Sequence, residues 1–181
     1  MYTFTSARLG FRNWETADLH ALTAMNADPR VMTYFPKPLT PNESRQFLER
    51  MQQQYHQRGH TYFAVELLET RAFIGFIGLS YQGYPSPYTP AVDIGWRLMA
   101  TAWGHGYATE GAKACLKVGF SHLGLPEVIA VCTPENTPSE NVMKKIGMHL
   151  KGSFDHPGLL NTALDPKCLC YGITKQEYLQ G

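Results

Sequence analysis

Apolar residues recur along the chain in two alternating periods. Phe47, Leu48, Met51 and Tyr55 fall at helical spacing in a segment that opens at Thr40-Pro41-Asn42-Glu43 and stops at Gly59. Thr40 and Glu43 have the spacing of a capping box, with Pro41 at the first helical position. Upstream, Thr3 to Asn13 reads as one strand, and Thr16 or Asp18 can cap a helix running to about Asn26, which ends near Asp28-Pro29. Downstream, Tyr62–Leu68 and Ala72–Gln82 read as a pair of strands. A strand from Val92 to Met99 leads through a glycine-bearing turn into a helix that reaches Phe120. Val128–Thr133 then reads as a buried strand, Ser139–Ile146 as a short helix stopped by Gly147, and Met148–Asp155 and Cys168–Thr174 as closing strands. The segment Gly83–Pro90 cannot sustain a ladder, because Pro85, Pro87 and Pro90 lack N–H donors; it reads as an exposed loop near a cleft. The order predicts one mixed α/β layer in which helices cover a twisted sheet, with no boundary dividing residues 1–181.

Composition narrows the classes without choosing among them. A length of 181 residues suits one well-buried domain. A net charge of +1 gives no dedicated surface for nucleic acid or for a membrane, and no apolar run approaches the ~20 residues that span a bilayer. No signal peptide is visible, so a cytoplasmic protein is expected. Cys115, Cys132, Cys168 and Cys170 have neither Cys-x-x-Cys spacing nor companion histidines, which favours reduced thiols and no metal site.

The chemistry concentrates at Trp103-Gly104-His105-Gly106-Tyr107-Ala108-Thr109-Glu110. A strand, a turn with two glycines and a helix start aim unpaired N–H groups and a positive dipole end at one point, where an anion such as a diphosphate belongs. The kinase-type loop is excluded because Tyr107-Ala108-Thr109 follows Gly106 in place of Gly-Lys-Ser/Thr. A dinucleotide fingerprint would want glycine at Thr109 and an acid ending the next strand, whereas Glu127 precedes that strand.

This run resembles the acetyl-coenzyme A diphosphate loop of the GNAT superfamily of N-acetyltransferases, in particular its RimJ/RimL-like branch. The segment Asn136-Thr137-Pro138-Ser139-Glu140-Asn141-Val142-Met143-Lys144-Lys145-Ile146-Gly147-Met148 is similar to a second block of that branch, and Arg8–Arg12 with Asp18-Leu19 resembles its opening strand and helix. The resemblance implies a single GNAT-like domain whose mostly antiparallel sheet splays at its middle strands, with helices on both faces. It implies acetyl transfer from acetyl-CoA, as co-substrate, to a primary amine by direct attack in a ternary complex. Pantetheine would lie between Val92–Met99 and Val128–Thr133, with a bulge at Leu98–Met99 turning the strand toward it. The diphosphate would meet Trp103, Gly104, His105, Gly106, Tyr107, Ala108 and Thr109.

Several residues keep two readings. Asn136 would hydrogen-bond the pantetheine arm, or else cap a turn before Pro138. Asp93 stands where related enzymes often carry Glu and is the candidate base, through water; otherwise it is a solvent-facing strand carboxylate. Many superfamily members donate a proton from Tyr at the position of Met143; Ser139 is the candidate substitute, or else the helix N-cap. Glu110 complements the helix dipole or orders a loop. Tyr34, Phe35, Tyr81 and Tyr84 are candidate walls of the acceptor site, and the lack of an acidic cluster argues against a polycationic acceptor. An N-terminal peptide amine or a small amino compound is the expected acceptor, and a homodimer is an open expectation from similar proteins. A non-catalytic acyl-CoA-binding module would keep Gly104, Gly106 and Asn136 without needing Asp93, and a transferase of another acyl-CoA would need a deeper pocket.

Overall fold

A computed structural model describes residues 1–180 as eight strands in one sheet and five α-helices. The strands are β1 (Phe4–Thr5), β2 (Leu9–Arg12), β3 (Tyr62–Leu67), β4 (Phe73–Gln82), β5 (Ala91–Leu98), β6 (Glu127–Cys132), β7 (His149–Asp155) and β8 (Lys167–Thr174). The helices are α1 (Leu19–Ala27), α2 (Pro41–Arg58), α3 (Tyr107–Ser121), α4 (Thr137–Lys145) and α5 (Lys175–Gln180). The spatial order is β1-β2-β3-β4-β5-β6-β8-β7, and every neighbouring pair is antiparallel except β5 with β6.

That exception organises the molecule. β4 and β5 pair without a break from Gly75↔Leu98 to Gln82↔Ala91, whereas β5 and β6 share one partner pair, Asp93↔Ile129. Beyond it the carboxyl ends of both strands part, and β5 runs on toward α3 while β6 runs on toward α4. The expected splay of the middle strands is therefore present, and Asp93 sits at its apex.

Alternation along β5 sends Ile94, Trp96 and Leu98 to one face and Asp93, Gly95 and Arg97 to the other. On the first face α3 packs Ala112, Cys115, Leu116 and Phe120 against Ile77, Leu79 and Ile94 in the main core. On the second, α1 and α2 enclose Trp14, Leu22, Met25, Phe47, Leu48 and Met51 over Ala64 and Phe76. A third cluster, of Ile129, Phe154, Cys168 and Cys170, lies under Tyr84 and Tyr88 of the β4–β5 loop. The four cysteines are buried and unpaired. Among the described residues, no helix is long and apolar enough to cross a membrane.

Local chemistry explains the element ends. Thr40 Oγ1 accepts from Glu43 N and Glu43 Oε2 accepts from Thr40 N, closing the expected capping box, and Gly59 ends α2 at φ 73°. Four boundaries differ from the sequence expectation. Thr3–Asn13 is a hairpin of β1 and β2, because Ser6 turns the chain, its N–H given to Leu9 O and its Oγ accepting from Leu9 N. The helix before Asn26 begins as a 3₁₀ turn, Thr16–Asp18, capped by Glu15; Asp18 then stands at the N-cap of α1, its carboxylate accepting from Glu15 N. The short helix starts at Thr137 and not at Ser139, since Asn136 supplies its cap. No bulge occurs at Leu98–Met99; β5 ends in register at Leu98, and a 3₁₀ turn, Ala100–Ala102, redirects the chain. The irregularity lies on β4, where the register shifts opposite Val65 and Glu66. The loop Gly83–Pro90 is half-buried through Tyr84 and Tyr88, and α5 follows β8 where no helix is expected from the residue pattern.

Candidate active site

The turn between β5 and α3 has the form of an anion cradle. Gly104 and Gly106 both take φ 79°, and Gly106 is the N-cap of α3. A Cβ built on Gly104 would meet nothing within 4 Å, and one on Gly106 only Arg8 Nη2 at 3.7 Å. Packing therefore does not demand glycine here; the left-handed backbone and the open space above it do. Among the described residues, the N–H groups of Gly104 to Thr109 have no acceptor, so the cradle suits a diphosphate.

The cradle is braced from β2. Glu110 accepts from Ser6 Oγ at 2.7 Å, Arg8 N at 2.8 Å and Arg8 Nε at 2.7 Å, and those bonds hold its carboxyl below the usual range despite partial burial. Arg8 Nη2 in turn donates to His105 O at 3.0 Å, and its guanidinium lies 4.5 Å over the Tyr107 ring. Glu110 thus orders the loop, and its place in the first turn of α3 also complements the helix dipole. His105 stacks on Tyr107 and faces solvent, and half-exposed Trp103 is held by its indole N–H bond to Leu98 O at 2.9 Å. Leu98 is buried at the strand end, and Met99 N bonds Ile74 O.

The second centre is Asp93. Its Oδ1 accepts from Tyr62 Oη at 2.5 Å and from Gln82 Nε2 at 3.1 Å, and Gln82 also donates to Tyr62 Oη at 3.0 Å. Tyr62 reaches across from β3 because its ring stacks on Phe76 at 5.4 Å and passes over Gly95, where a Cβ would stand 2.9 Å from the ring. Asp93 keeps a little accessible surface at the foot of the cleft, yet protein packs around it on every side. Desolvation raises its pKa to about 6, opposed by the Tyr62 and Gln82 bonds. Burial and the neighbouring carboxylate push Tyr62 far above its ordinary range, so it stays protonated as a donor. The solvent-facing alternative for Asp93 does not hold.

Asn136 caps α4, its Oδ1 accepting from Ser139 N at 3.2 Å, so the capping alternative for Ser139 falls away. Ser139 Oγ accepts from Trp96 Nε1 at 3.3 Å, a bond that spans the splay from β5 to α4. Met143 is 2% exposed in the main core.

The acceptor-wall candidates separate. Tyr84 lies on the Asp93 side, stacked on Phe154 and tilted against His156, and both burial and the Asp93 charge push its pKa up. Phe35 stands on that side as well, 4.1 Å from the Arg97 guanidinium. Alternation along β4 puts Tyr81 on the opposite face, beneath Arg58. Tyr34 is half-buried on the Asp28–Thr40 connection and makes no side-chain hydrogen bond among the described residues. Sequence reasoning missed Tyr62, Gln82, Trp96, Arg97 and Arg8; the one local signal was the Gly95 gap, which matters only once β3 is known to lie nearby. Among the described residues, no group of three His, Cys, Asp or Glu could hold a metal ion.

Comparison with known proteins agrees with this arrangement. Residues 8–149 match the model of an acetyltransferase (GNAT) domain. An uncharacterized N-acetyltransferase of Bacillus subtilis (strain 168), YnaD, is 34% identical over 151 residues, 83% of this chain and 84% of its own. The FsC-acetyl coenzyme A-N(2)-transacetylase of Aspergillus fumigatus is 27% identical over 174 residues, 86% of this chain and 69% of its own. A crystal structure of a GNAT-family acetyltransferase from Bacillus anthracis superposes with a TM-score of 0.78 at 32% identity, covering 95% of this chain and 98% of that one.

Proposed function

The chain belongs to the GNAT family of acetyltransferases, and from that premise we propose that it transfers acetyl from acetyl-CoA directly to a primary amine held against the Asp93 face of the sheet. What carries the reading is Asp93, a carboxyl with pKa about 6 at the single bridge between β5 and β6. A base near this pKa is mostly ionised at neutral pH and still takes a proton from an ammonium through water. The neutral amine attacks the thioester carbonyl, the new C–N bond forms, and the C–S bond breaks.

Ser139 is the proposed donor to the departing sulfur. Its hydroxyl accepts from Trp96, which leaves its own proton free for the sulfur. Its oxygen meanwhile takes one from the ammonium nitrogen of the adduct, so that neither an alkoxide nor a protonated amide remains. The open amides of Gly104 to Ala108 would take the diphosphate, and the parted edges of β5 and β6 would pair with pantetheine. Asn136 uses Oδ1 for the cap, and its Nδ2 remains available to the pantetheine arm. The segment from Asn136 to Met148 supports a RimJ/RimL-like assignment within the family, because Met143 is a core residue and the serine at its start lies in the cleft. A peptide N-terminus or a small amino compound is the proposed acceptor; the Aspergillus relative's name pairs acetyl coenzyme A with an amino nitrogen.

Calorimetric titration with acetyl-CoA, with CoA and ATP alongside, tests the first half. Binding of both CoA species and not ATP is expected. Asp93→Ala should keep that affinity and lose transfer by about 10²- to 10⁴-fold. A variant as fast as wild type would remove Asp93 from the chemistry.

A further inference from the structure

We propose that the amine acceptor carries a carboxylate about 10 Å from its reacting nitrogen and that Arg97 binds it, so that the preferred acceptors are short peptides bearing a carboxylate at their third residue. The inference rests on the acetyl-transfer reading above and deepens it.

Arg97 is a half-buried guanidinium that faces no acid. Arg8, Arg12 and Arg30 are each paired with a carboxylate, whereas Arg97 makes one hydrogen bond, from Nη1 to Asn26 Oδ1 at 2.8 Å. Its Nε is shut away from solvent with no partner, and Nη2 also lacks one among the described residues. Nε and Nη2 form one edge of the planar fork, the edge that matches a carboxylate with two parallel bonds. Burying a cation without a counter-charge is unfavourable, and an arriving carboxylate removes that penalty.

The surroundings fix that edge and restrict what reaches it. Asn26 is fully buried, and its Nδ2 donates to Ser44 Oγ at 3.0 Å, so only its oxygen is left for Arg97. The ring centroids of Phe35 and Phe76 lie 4.1 and 5.3 Å from the guanidinium carbon, so both rings pack against it. Phe35 is 38% exposed on the Asp28–Thr40 connection, so one of the groups packed on the guanidinium borders solvent.

Position on β5 sets the distance. Asp93 and Arg97 share a face four residues apart, about 13 Å between Cα atoms. The Tyr62 ring lies over Gly95 between them and forms a flat floor. An extended tripeptide spans about 10 Å from amine to carboxylate, a length comparable with that separation. A free α-amino acid, whose amine and carboxylate share one carbon, falls well short of it.

The test is calorimetric titration of the CoA-saturated protein with Ala-Ala-Ala and its C-terminal amide, and with Ala-Ala-Asp-amide and Ala-Ala-Asn-amide. At least one acid should bind tenfold or more tightly than its neutral partner, and the pair that does so distinguishes a terminal from a side-chain carboxylate. Arg97→Gln should abolish the preference while CoA affinity and melting temperature stay close to wild type. If Arg97→Gln does not fold, Arg97→Lys, which keeps the charge and loses the fork, must cut the preference at least threefold. Equal binding within both pairs, no peptide binding, or a preference that survives replacement of Arg97 overturns the proposal. Failure of the acetyl-transfer reading would appear separately, as absent acetyl-CoA binding or absent acetylation of the amide peptides.

Discussion

Tyr62 on β3 donates to Asp93 on β5 over the width of β4, Oη to Oδ1 at 2.5 Å, and this bond sets how basic the carboxylate is. Desolvation lifts Asp93 to about 6, and Tyr62 and Gln82 hold it from rising further. If Asp93 is the base, kcat/KM falls as pH drops through about 6. Tyr62→Phe removes a restraining bond of about 1 kcal/mol, so that acid limb should move up by roughly 0.7 of a pH unit. Gly95→Ala should act in the same direction by crowding the ring away from Asp93. A pH–rate profile for the three proteins checks this, and an acid limb that stays put in both variants would exclude the assignment.

The same raised pKa carries a stability consequence of opposite sense to the usual carboxylate. The fold binds the Asp93 proton more tightly than the unfolded chain does, so the stability contributed by this group is present at low pH and is lost as pH rises through the interval from about 4 to about 6. A shift of about two units corresponds to roughly 3 kcal/mol at full burial, and less with some solvent contact. Asp93→Asn, which keeps an oxygen for Tyr62, should be more stable than wild type by about 1–3 kcal/mol at pH 8 and nearly equal to it at pH 4. Urea unfolding at the two pH values measures the difference. Equal stability at pH 8 would mean that Asp93 is not desolvated.

These two centres were legible in the sequence to different degrees, for physical reasons. The cradle from Trp103 to Thr109 is local: a strand, two glycines and a helix start specify their own geometry, and both glycines take a left-handed backbone. The α2 box at Thr40 and Glu43 is local too. Asp93 could be named, but its partner Tyr62 is 31 residues away and meets it only because β3, β4 and β5 are adjacent. Arg97 is harder still. Its character lies in having no acid nearby, and only a folded chain reveals which charges stay apart. Ser139 and Asn136 competed for one capping role, and Pro138 in the first turn of the helix moved the boundary to Asn136.

That boundary gives Asn136 the structural role and leaves the Ser139 hydroxyl outside the cap. Asn136 supplies the cap to α4, so Asn136→Ala should lower stability by about 1 kcal/mol. Ser139 contributes its backbone N–H to that cap and only a 3.3 Å side-chain contact to Trp96, so Ser139→Ala should stay within about 0.5 kcal/mol of wild type. Its transfer rate should nonetheless fall tenfold or more if the hydroxyl protonates the leaving sulfur. Thermal melts and steady-state rates with saturating acetyl-CoA compare the two. A full-rate Ser139→Ala would leave the thiolate to be protonated by solvent.

The cradle can be tested against an ordinary turn in the same chain. Gly106 and Gly124 have similar backbone angles, φ 79° and 66°, and neither has protein closer than 3.7 Å to the place of a Cβ. Alanine at either position meets the same left-handed penalty of about 1–2 kcal/mol, so both variants should lose comparable stability. Only at Gly106 does the added methyl enter the space above the open amides of Gly104 to Thr109. Gly106→Ala should therefore weaken acetyl-CoA binding more than tenfold, about 1.4 kcal/mol, while Gly124→Ala leaves it unchanged. Because strain is matched between the two, any difference in affinity reports the ligand's approach to the backbone. Equal affinities in the two variants would mean that this turn serves only to start α3, and that the phosphates bind elsewhere.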